Sequence, residues 1–324
     1  MRHRARTRRA APTAMLLAVA LTASLAAGCT GHGRDGDDRG PDHVPSPPGK
    51  SAATGSPLAV KIDNVRAARP QTGLGAADVV YVEEVEGGLT RLMAVYATRL
   101  PETVGPVRSA RESDLELLRQ FARPTLAFSG AQRALLPLID QAPLRAQSPD
   151  AIPGAYDRDP GRAAPHNLYL HPAALLPAAP GEAALTTGFR YGPAPDGGAP
   201  VSARTVRYPA ARLTFTWSAE RGGWLVAMDG EPTVTTDSGR PAPPTVVLQQ
   251  VTVRASGYHD VLGNRTPYTE TVGSGRAEVL RDGRSYDASW SRPAATDGTA
   301  FTAADGSRLD FAAGQVWVVF VPAP

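Results

Sequence analysis

Apolar residues in the first half of the chain occur in short runs of strand length that are separated by turn-forming residues. Three strands are predicted, at residues 58–62, 78–85 and 89–98. Between the last two stand Gly87 and Gly88, a pair typical of a two-residue hairpin turn. With that turn, Glu84 would lie opposite Arg91.

Helical spacing of apolar residues begins after this hairpin. Ser109 is followed three residues later by Glu112, a capping-box pattern that predicts a helix from Ala110. A further strand at 125–128 leads into a second such pattern, which starts at Ser129. We therefore expect two junctions at which a strand passes into a helix, both near one edge of the sheet.

These elements predict the fold class. The predicted strands carry apolar residues on both faces, so we expect a sheet covered on both sides, as in a layered α/β or α+β domain over residues 57–200. A run rich in Gly and Pro at 191–202 suggests a domain boundary. Beyond it, strand-length runs alternate with turns such as Asp282-Gly283, which predicts a mostly antiparallel β domain over residues 204–324.

The N-terminus has the pattern of an export signal. Residues 1–9 are basic, residues 15–25 are apolar, and the apolar run is too short to span a bilayer comfortably. The run ends in Leu25-Ala26-Ala27-Gly28-Cys29, which resembles a bacterial lipobox, although its Leu stands one position early. We expect a signal peptide at 1–28, a lipidated Cys29 as membrane anchor, and an extracytoplasmic location.

Two alternatives remain open for this segment. An ordinary secretory signal would leave Cys29 as a free thiol, and Arg8-Arg9 would also fit a twin-arginine export route, although the residues that follow match that pattern poorly. Residues 30–56 contain six Gly and four Pro and no aromatic residue. Such a composition cannot bury enough apolar surface to fold, so residues 29–56 are predicted to be a disordered tether.

Composition excludes several kinds of site. Cys29 is the only cysteine, which rules out an intrachain disulfide and a zinc site built on paired thiolates. Five of the 34 basic residues lie in the signal segment, which leaves 29 against 31 acidic residues, so overall charge gives no reason to expect nucleic-acid binding. His166 and His171 share no helical face, and no metal or cofactor is predicted.

The best candidate site is the junction around Arg108 and Arg111. Two guanidinium groups flanking a helix start, with Ser109 between them, are suited to phosphate or pyrophosphate. The remaining candidates are residues that folded loops could bring to the junction: Arg69, Arg91, His166 and the carboxylate of Asp63. The alternative is that the arginines only form ion pairs that hold the helix in place.

Ordered motifs also support a family resemblance. They are Lys61-Ile62-Asp63-Asn64, residues 68–74, residues 77–81, residues 85–91 and residues 105–111, followed by residues 273–277 and 314–318. Together they resemble the YerB family of bacterial lipoproteins over nearly all of the chain from residue 57. The resemblance implies a two-domain lipoprotein at the cell surface, and it implies no reaction because the function of that family is unknown.

Two classes of function follow from these features. The first is a non-catalytic lipoprotein that binds a cell-wall glycopolymer, a lipid-linked precursor or an envelope protein. The second is an envelope enzyme that acts on a phosphate-linked glycopolymer. Its layout is loosely similar to the LytR-CpsA-Psr phosphotransferases, but the stretch from Pro106 to Ser109 lacks the Asp that follows in that family. Ser129 lacks the surroundings of a nucleophilic serine.

Overall fold

The computed structural model describes residues 55–260 and 263–324. The predicted signal peptide, Cys29 and the tether up to residue 54 lie outside the described residues. Strands predominate in the described part, which contains only two α-helices, α1 (Glu112–Leu118) and α2 (Leu136–Gln141). The strands are β1 (Leu58–Asp63), β2 (Val79–Val85), β3 (Leu89–Tyr96), β4 (Thr125–Ala127), β5 (Arg145–Gln147), β6 (Tyr156–Arg158), β7 (Leu168–Leu170), β8 (Ala199–Pro200), β9 (Ala203–Arg207), β10 (Arg212–Ser218), β11 (Gly223–Met228), β12 (Glu231–Pro232), β13 (Thr245–Val251), β14 (Val253–His259), β15 (Arg265–Thr269), β16 (Gly273–Arg281), β17 (Arg284–Arg292), β18 (Ala300–Thr302) and β19 (Val316–Pro322).

One large mixed sheet organises the molecule. Its order is β18-β17-β16-β13-β19-β2-β3-β1-β4-β5, and β8 pairs with β17 beside this path. Strand β19 lies at the centre and runs parallel to both of its neighbours, β13 and β2. The sheet therefore contains strands from before and after residues 191–202, where the sequence predicts a domain boundary, and that boundary stays a prediction.

The expected layered α/β domain is wrong. The described part of the chain is mostly β, and its α-helices are only seven and six residues long. Apolar residues do occupy both faces of the sheet, but a second β-sheet, of order β12-β11-β10-β9, packs on one face where helices were expected. The sequence pattern indicates that both faces of the sheet are buried, but it does not indicate whether helices or strands cover them.

The strand alternation divides the core into two clusters. On one face, Trp317 of β19 packs edge-to-face against Phe215 of the smaller sheet, with ring centroids 6.1 Å apart. On the other face, α1 and α2 contribute Leu117 and Ile139 to a cluster that also contains Val318. Residues from both halves of the chain take part in each cluster.

The two predicted hairpin turns differ in outcome. Asp282-Gly283 is the two-residue turn between β16 and β17, and both of its residues have positive φ, as a primed turn requires. The turn between β2 and β3 has three residues, Glu86, Gly87 and Gly88, and both glycines have φ of +70°. The additional residue shifts the register by one, so Arg91 pairs with Glu83 and not with Glu84.

Candidate arginine cleft

Strand register places a row of charged residues on one face of the sheet. Asp63, the last residue of β1, lies opposite Arg91 of β3, which lies opposite Glu83 of β2. Lys61 is two residues before Asp63 and faces the same side, because side chains alternate along a strand. Helix α1 packs over this face, so these charged groups are enclosed between the sheet and the helix.

The deepest part of this row is a buried ion cluster. The Lys61 ammonium donates to Asp114 of α1 at 2.7 Å and also to Glu83, and Ser113 donates to the second oxygen of Glu83 at 3.1 Å. Two carboxylates share one ammonium here. Burial and the charge of Asp114 raise the pKa of Glu83 to about 7, and Lys61 opposes that rise.

Asp63 joins two of the predicted site residues. Its side chain is 2% exposed, and its Oδ2 atom lies 3.0 Å from Nε of Arg108 and 2.8 Å from Nδ1 of His166. Its Oδ1 accepts the backbone N–H of Val65 at 3.3 Å. A single buried carboxylate therefore fixes the positions of a guanidinium and an imidazole that are 58 residues apart in the sequence.

Arg91 and Arg111 make contacts within the protein. Arg91 donates to the carbonyl of Ser109 at 3.0 Å, and burial together with the charges of Arg111 and Arg108 lowers the pKa of Arg91 to about 10. Arg111 forms an ion pair with Glu86 at 2.7 Å and donates to a backbone carbonyl at 2.9 Å. Burial by itself would raise the pKa of Glu86, but hydrogen bonds from Arg111 and Thr266 lower it below its usual range.

The helix start differs from the prediction. Helix α1 begins at Glu112, and the backbone N–H of Arg111 donates to Asp114 at 2.6 Å, so the capping interaction lies two residues after the predicted Ser109–Glu112 box. The N–H of Ala110 donates to Gly130 at 3.0 Å. The backbone N–H groups of Ala110 and Arg111 therefore both have acceptors within the protein and are not available to an anion.

Ser129 does not cap α2, which begins seven residues later at Leu136. Its backbone N–H donates to the carbonyl of Arg108 at 3.0 Å, and its hydroxyl lies 3.5 Å from that of Ser109. Ser129 thus helps to hold the segment that carries the arginines.

These groups surround a cleft of about 670 Å³, which we call the arginine cleft. Six of the seven predicted ligand-binding residues line it, namely Asp63, Arg91, Arg108, Ser109, Arg111 and His166. Its other lining residues are Val65, Val85, Glu86, Leu89, Thr90, Ala110, Glu112, Ala131, Gln132, Leu135, Tyr258, His259, Asp260 and Thr266. A cleft of equal volume between β9 and strands β16 and β17 contains none of the predicted residues.

Arg69 is the predicted residue that lies elsewhere. It forms an ion pair with Asp229 at 2.9 Å and donates to the backbone carbonyl of Asn64 at 2.6 Å. These contacts connect the segment after β1 to the turn that follows β11. In this structure Arg69 has the role of a structural contact between segments.

Hairpin β14–β15 contributes a wall that the sequence analysis did not include. Thr266 donates to Glu86 at 2.5 Å, and the carbonyl of His259 accepts from Gln132 at 2.7 Å. Tyr258 lines the cleft from the same hairpin. Thr266 lies 180 residues from Glu86, and no local sequence pattern predicts a contact at that separation.

Two further observations concern membranes and metals. Among residues 55–260 and 263–324, no helix has the length and apolar character needed to cross a membrane. Within the same residues, no three His, Cys, Asp or Glu side chains are grouped so that they could hold a metal ion.

Sequence comparison places the chain among known proteins. Residues 46–185 match the profile described as "Protein of unknown function (DUF3048) N-terminal domain", and residues 204–318 match the corresponding C-terminal domain. The chain belongs to the DUF3048 family. It is 27% identical over 278 residues to "Putative lipoprotein YerB" of Bacillus subtilis (strain 168), an alignment that covers 82% of this chain and 81% of that protein.

The crystal structure of the YerB protein from Bacillus subtilis is similar in fold. The match has a TM-score of 0.66 at 21% identity and covers 83% of this chain and 91% of the other. The resemblance to YerB that the sequence motifs predicted is thus confirmed at the level of family and fold. The DUF3048 family is one of unknown function, so the chemistry of the arginine cleft has to be inferred from its own residues.

Proposed function

We propose that this DUF3048 protein is an extracytoplasmic lipoprotein, anchored to the cell membrane through Cys29, that binds an anionic ligand of the cell envelope in the arginine cleft. The proposal is carried by the guanidinium of Arg108. Its Nε lies 3.0 Å from Asp63, and within the described residues its two terminal nitrogens donate no hydrogen bond. A fixed guanidinium with free donors matches the geometry of a phosphate or carboxylate.

Electrostatics support the same conclusion. The pKa of Arg91 is lowered partly because Arg111 and Arg108 lie close to it, and an anion in the cleft would relieve this repulsion. Asp63 and Glu86 already pair with basic groups. Because further carboxylates also line the cleft, selection of an anion would depend on where the donors lie and not on a large net positive charge.

The membrane anchor is supported by the lipobox-like sequence at Cys29 and by similarity to a protein described as a putative lipoprotein. In Cys29→Ser cells, we expect the protein in the medium or as an unprocessed precursor, because the lipid-accepting thiol is gone. Fractionation and immunoblotting measure this. Membrane retention with unchanged mobility would contradict the anchor.

Anion binding is tested by calorimetric titration of the full chain with inorganic phosphate and pyrophosphate. Arg108→Gln should weaken binding about ten- to hundredfold, which corresponds to the loss of a charge-assisted hydrogen bond of about 1.5–3 kcal/mol. Arg66→Gln is the matched control, because Arg66 lies outside the cleft with a side chain that is 73% exposed. Equal affinity in the parent and in Arg108→Gln would contradict the anion site. If the only ligand found were an envelope protein, the function would be protein binding and not anion binding.

A second candidate is supported by the contact between Asp63 and His166. A buried carboxylate that holds Nδ1 of an imidazole leaves Nε2 available for proton transfer, which is an arrangement used in acid–base catalysis. The corresponding function is cleavage or transfer at a phosphate-linked envelope polymer. Turnover of p-nitrophenyl phosphate or its diester that falls in His166→Asn, while phosphate affinity is retained, would favour the enzyme. Binding without turnover would favour the ligand-binding protein.

A further inference from the structure

One wall of the arginine cleft is apolar, and binding of an anion alone does not explain this wall. On the sheet face that carries Asp63 and Arg91, the next row toward the hairpin turn is the pair Leu89 and Val85. Side chains two residues apart on a strand face the same side and are separated by about 7 Å. Charged and apolar rows therefore follow one another along the floor of the cleft.

Other elements contribute further apolar residues to the lining of the cleft. Leu135, which precedes α2, is buried against the cleft, and Ala131, Val65 and Tyr258 line it while partly exposed. Apolar surface that remains accessible in a cleft favours a ligand able to cover it. The sugar and phosphate groups of a fully hydrophilic polymer would leave this wall in contact with water or with poorly matched polar groups.

We infer that the ligand is amphipathic, namely a phosphate ester of a hydrocarbon chain. Its phosphate would bind the terminal nitrogens of Arg108, and the first part of its chain would lie along Leu89 and Tyr258. This inference rests on the proposed function and defines its ligand class. Charge complementarity fixes the orientation of the ligand, because Arg108 lies beside the charged row and the apolar row lies on the side of the hairpin turn.

The volume of the cleft agrees with this assignment. About 670 Å³ is within the range of pockets that enclose most of a small ligand. A phosphate headgroup and a short length of chain can be enclosed, and a longer chain would continue outside. The same chemistry would accept a lipid-linked phosphate or a free alkyl phosphate, and chain length distinguishes the two from inorganic phosphate.

The test is calorimetric titration of the full chain carrying Cys29→Ser, which removes the proposed lipid attachment, with inorganic phosphate and with butyl, hexyl and octyl phosphate below their micelle concentrations. We expect affinity to rise with chain length, by up to about fourfold per methylene group that becomes fully buried. The matched neutral alcohols should bind far more weakly. In Leu89→Thr the increase with chain length should shrink, while affinity for inorganic phosphate stays the same. Val234→Thr is the control, because Val234 is 50% exposed and lies outside the cleft.

Each result has a distinct meaning. Inorganic phosphate binding with no effect of chain length would overturn the amphipathic ligand and leave the anion site intact. An equal chain-length effect for the alcohols, or one that survives in Arg108→Gln, would mean unspecific apolar binding and would also overturn it. Absence of binding by every phosphate compound would overturn the proposed function itself.

Discussion

At the scale of single residues, the cluster around Lys61 combines burial with an unequal number of charges. Glu83 and Asp114 compete for one ammonium, and all three side chains are at most 2% exposed. Burial and Asp114 raise the pKa of Glu83 to about 7, above the value of about 4.3 that an unfolded chain gives. Folding therefore takes up a proton at Glu83 between these two pH values.

This uptake sets the direction of a pH effect on stability. The contribution from neutral Glu83 is fully present below about pH 4 and is lost as the pH rises through about 7, because the unfolded state then binds fewer protons than the folded state. As the pH rises from 5 to 8, we therefore expect the free energy of unfolding of the parent to fall relative to that of Glu83→Gln, because glutamine does not titrate. Urea unfolding at several pH values measures it. A difference that does not change with pH would contradict a raised pKa.

Residue types in the sequence identified most of the candidate site, but they did not assign roles. Arg108, Arg111 and Arg69 are equivalent as sequence letters. In the structure, Arg111 pairs with Glu86 and Arg69 pairs with Asp229, while the terminal nitrogens of Arg108 donate no hydrogen bond among the described residues. The role of each arginine is determined by the partner that folding brings to it. For Arg69 that partner is Asp229, which lies 160 residues away in the sequence.

At the scale of elements, α1 is a short helix that depends on contacts from distant strands. Arg292 at the end of β17 is 1% exposed and donates to the carbonyls of Glu116 and Leu117 at 2.9 and 3.3 Å. The Glu116 carboxylate in turn accepts the backbone N–H of Thr271 at 2.8 Å. A helix of seven residues is not stable by itself in water, so these contacts position the helix that covers the charged row.

Loss of Arg292 should therefore destabilise the protein. Arg292→Gln would remove the guanidinium that donates five hydrogen bonds, to the carbonyls of Glu116, Leu117, Ala295 and Asp297 and to the hydroxyl of Thr271, and we expect a loss of about 2 kcal/mol or more in the free energy of unfolding. Arg66→Gln is the matched control, since Arg66 has a side chain that is 73% exposed and one surface ion pair, with Glu231, and it should change stability by less than about 1 kcal/mol. Equal effects of the two variants in urea unfolding would rule out the anchoring role of Arg292.

Local signals predicted strands better than they predicted registers and caps. Asp282-Gly283 forms the expected turn because both residues adopt positive φ within a two-residue loop. At Gly87-Gly88 the same kind of signal places the hairpin correctly, but Glu86 also enters the loop, which changes the register. A shift of one residue moves a side chain to the other face of the sheet, so the position of Arg91 relative to its neighbours could not be fixed from the sequence.

At the scale of the whole molecule, the error in fold class has a specific cause. Runs of apolar residues indicate that a strand is buried on both faces, and helices are the usual cover in sheets of this kind. Here β10 and β11 provide the cover on one face, and they come from more than 100 residues beyond β3. Contacts between segments so far apart in the sequence cannot be predicted from the local pattern of residues. The family resemblance depends on short motifs, so it could be recognised from the sequence.

The central position of β19 leads to a prediction about cooperativity. β19 comes from the end of the chain, yet it lies between β13 and β2 and pairs with β2 from Val316 to Val319. Trp317 at its centre is fully buried. If the sheet unfolds as one unit, a destabilising substitution in β19 should lower the free energy of opening to the same extent for strands from both parts of the chain.

Trp317→Ala should reveal this coupling, because loss of a buried Trp costs about 3–5 kcal/mol. Native-state hydrogen exchange measures the free energy of opening separately for amides of β1 and β3 and for amides of β16 and β17. In Trp317→Ala we expect the free energy of opening to fall by a similar amount for the two strand pairs, because one strand separates each pair from β19. That strand is β2 for β1 and β3, and β13 for β16 and β17. The exposed position Val234 again provides a control, and Val234→Thr should leave both pairs unchanged. A loss confined to β16 and β17 would contradict a single cooperative sheet and would favour two independently folding domains divided near residues 191–202.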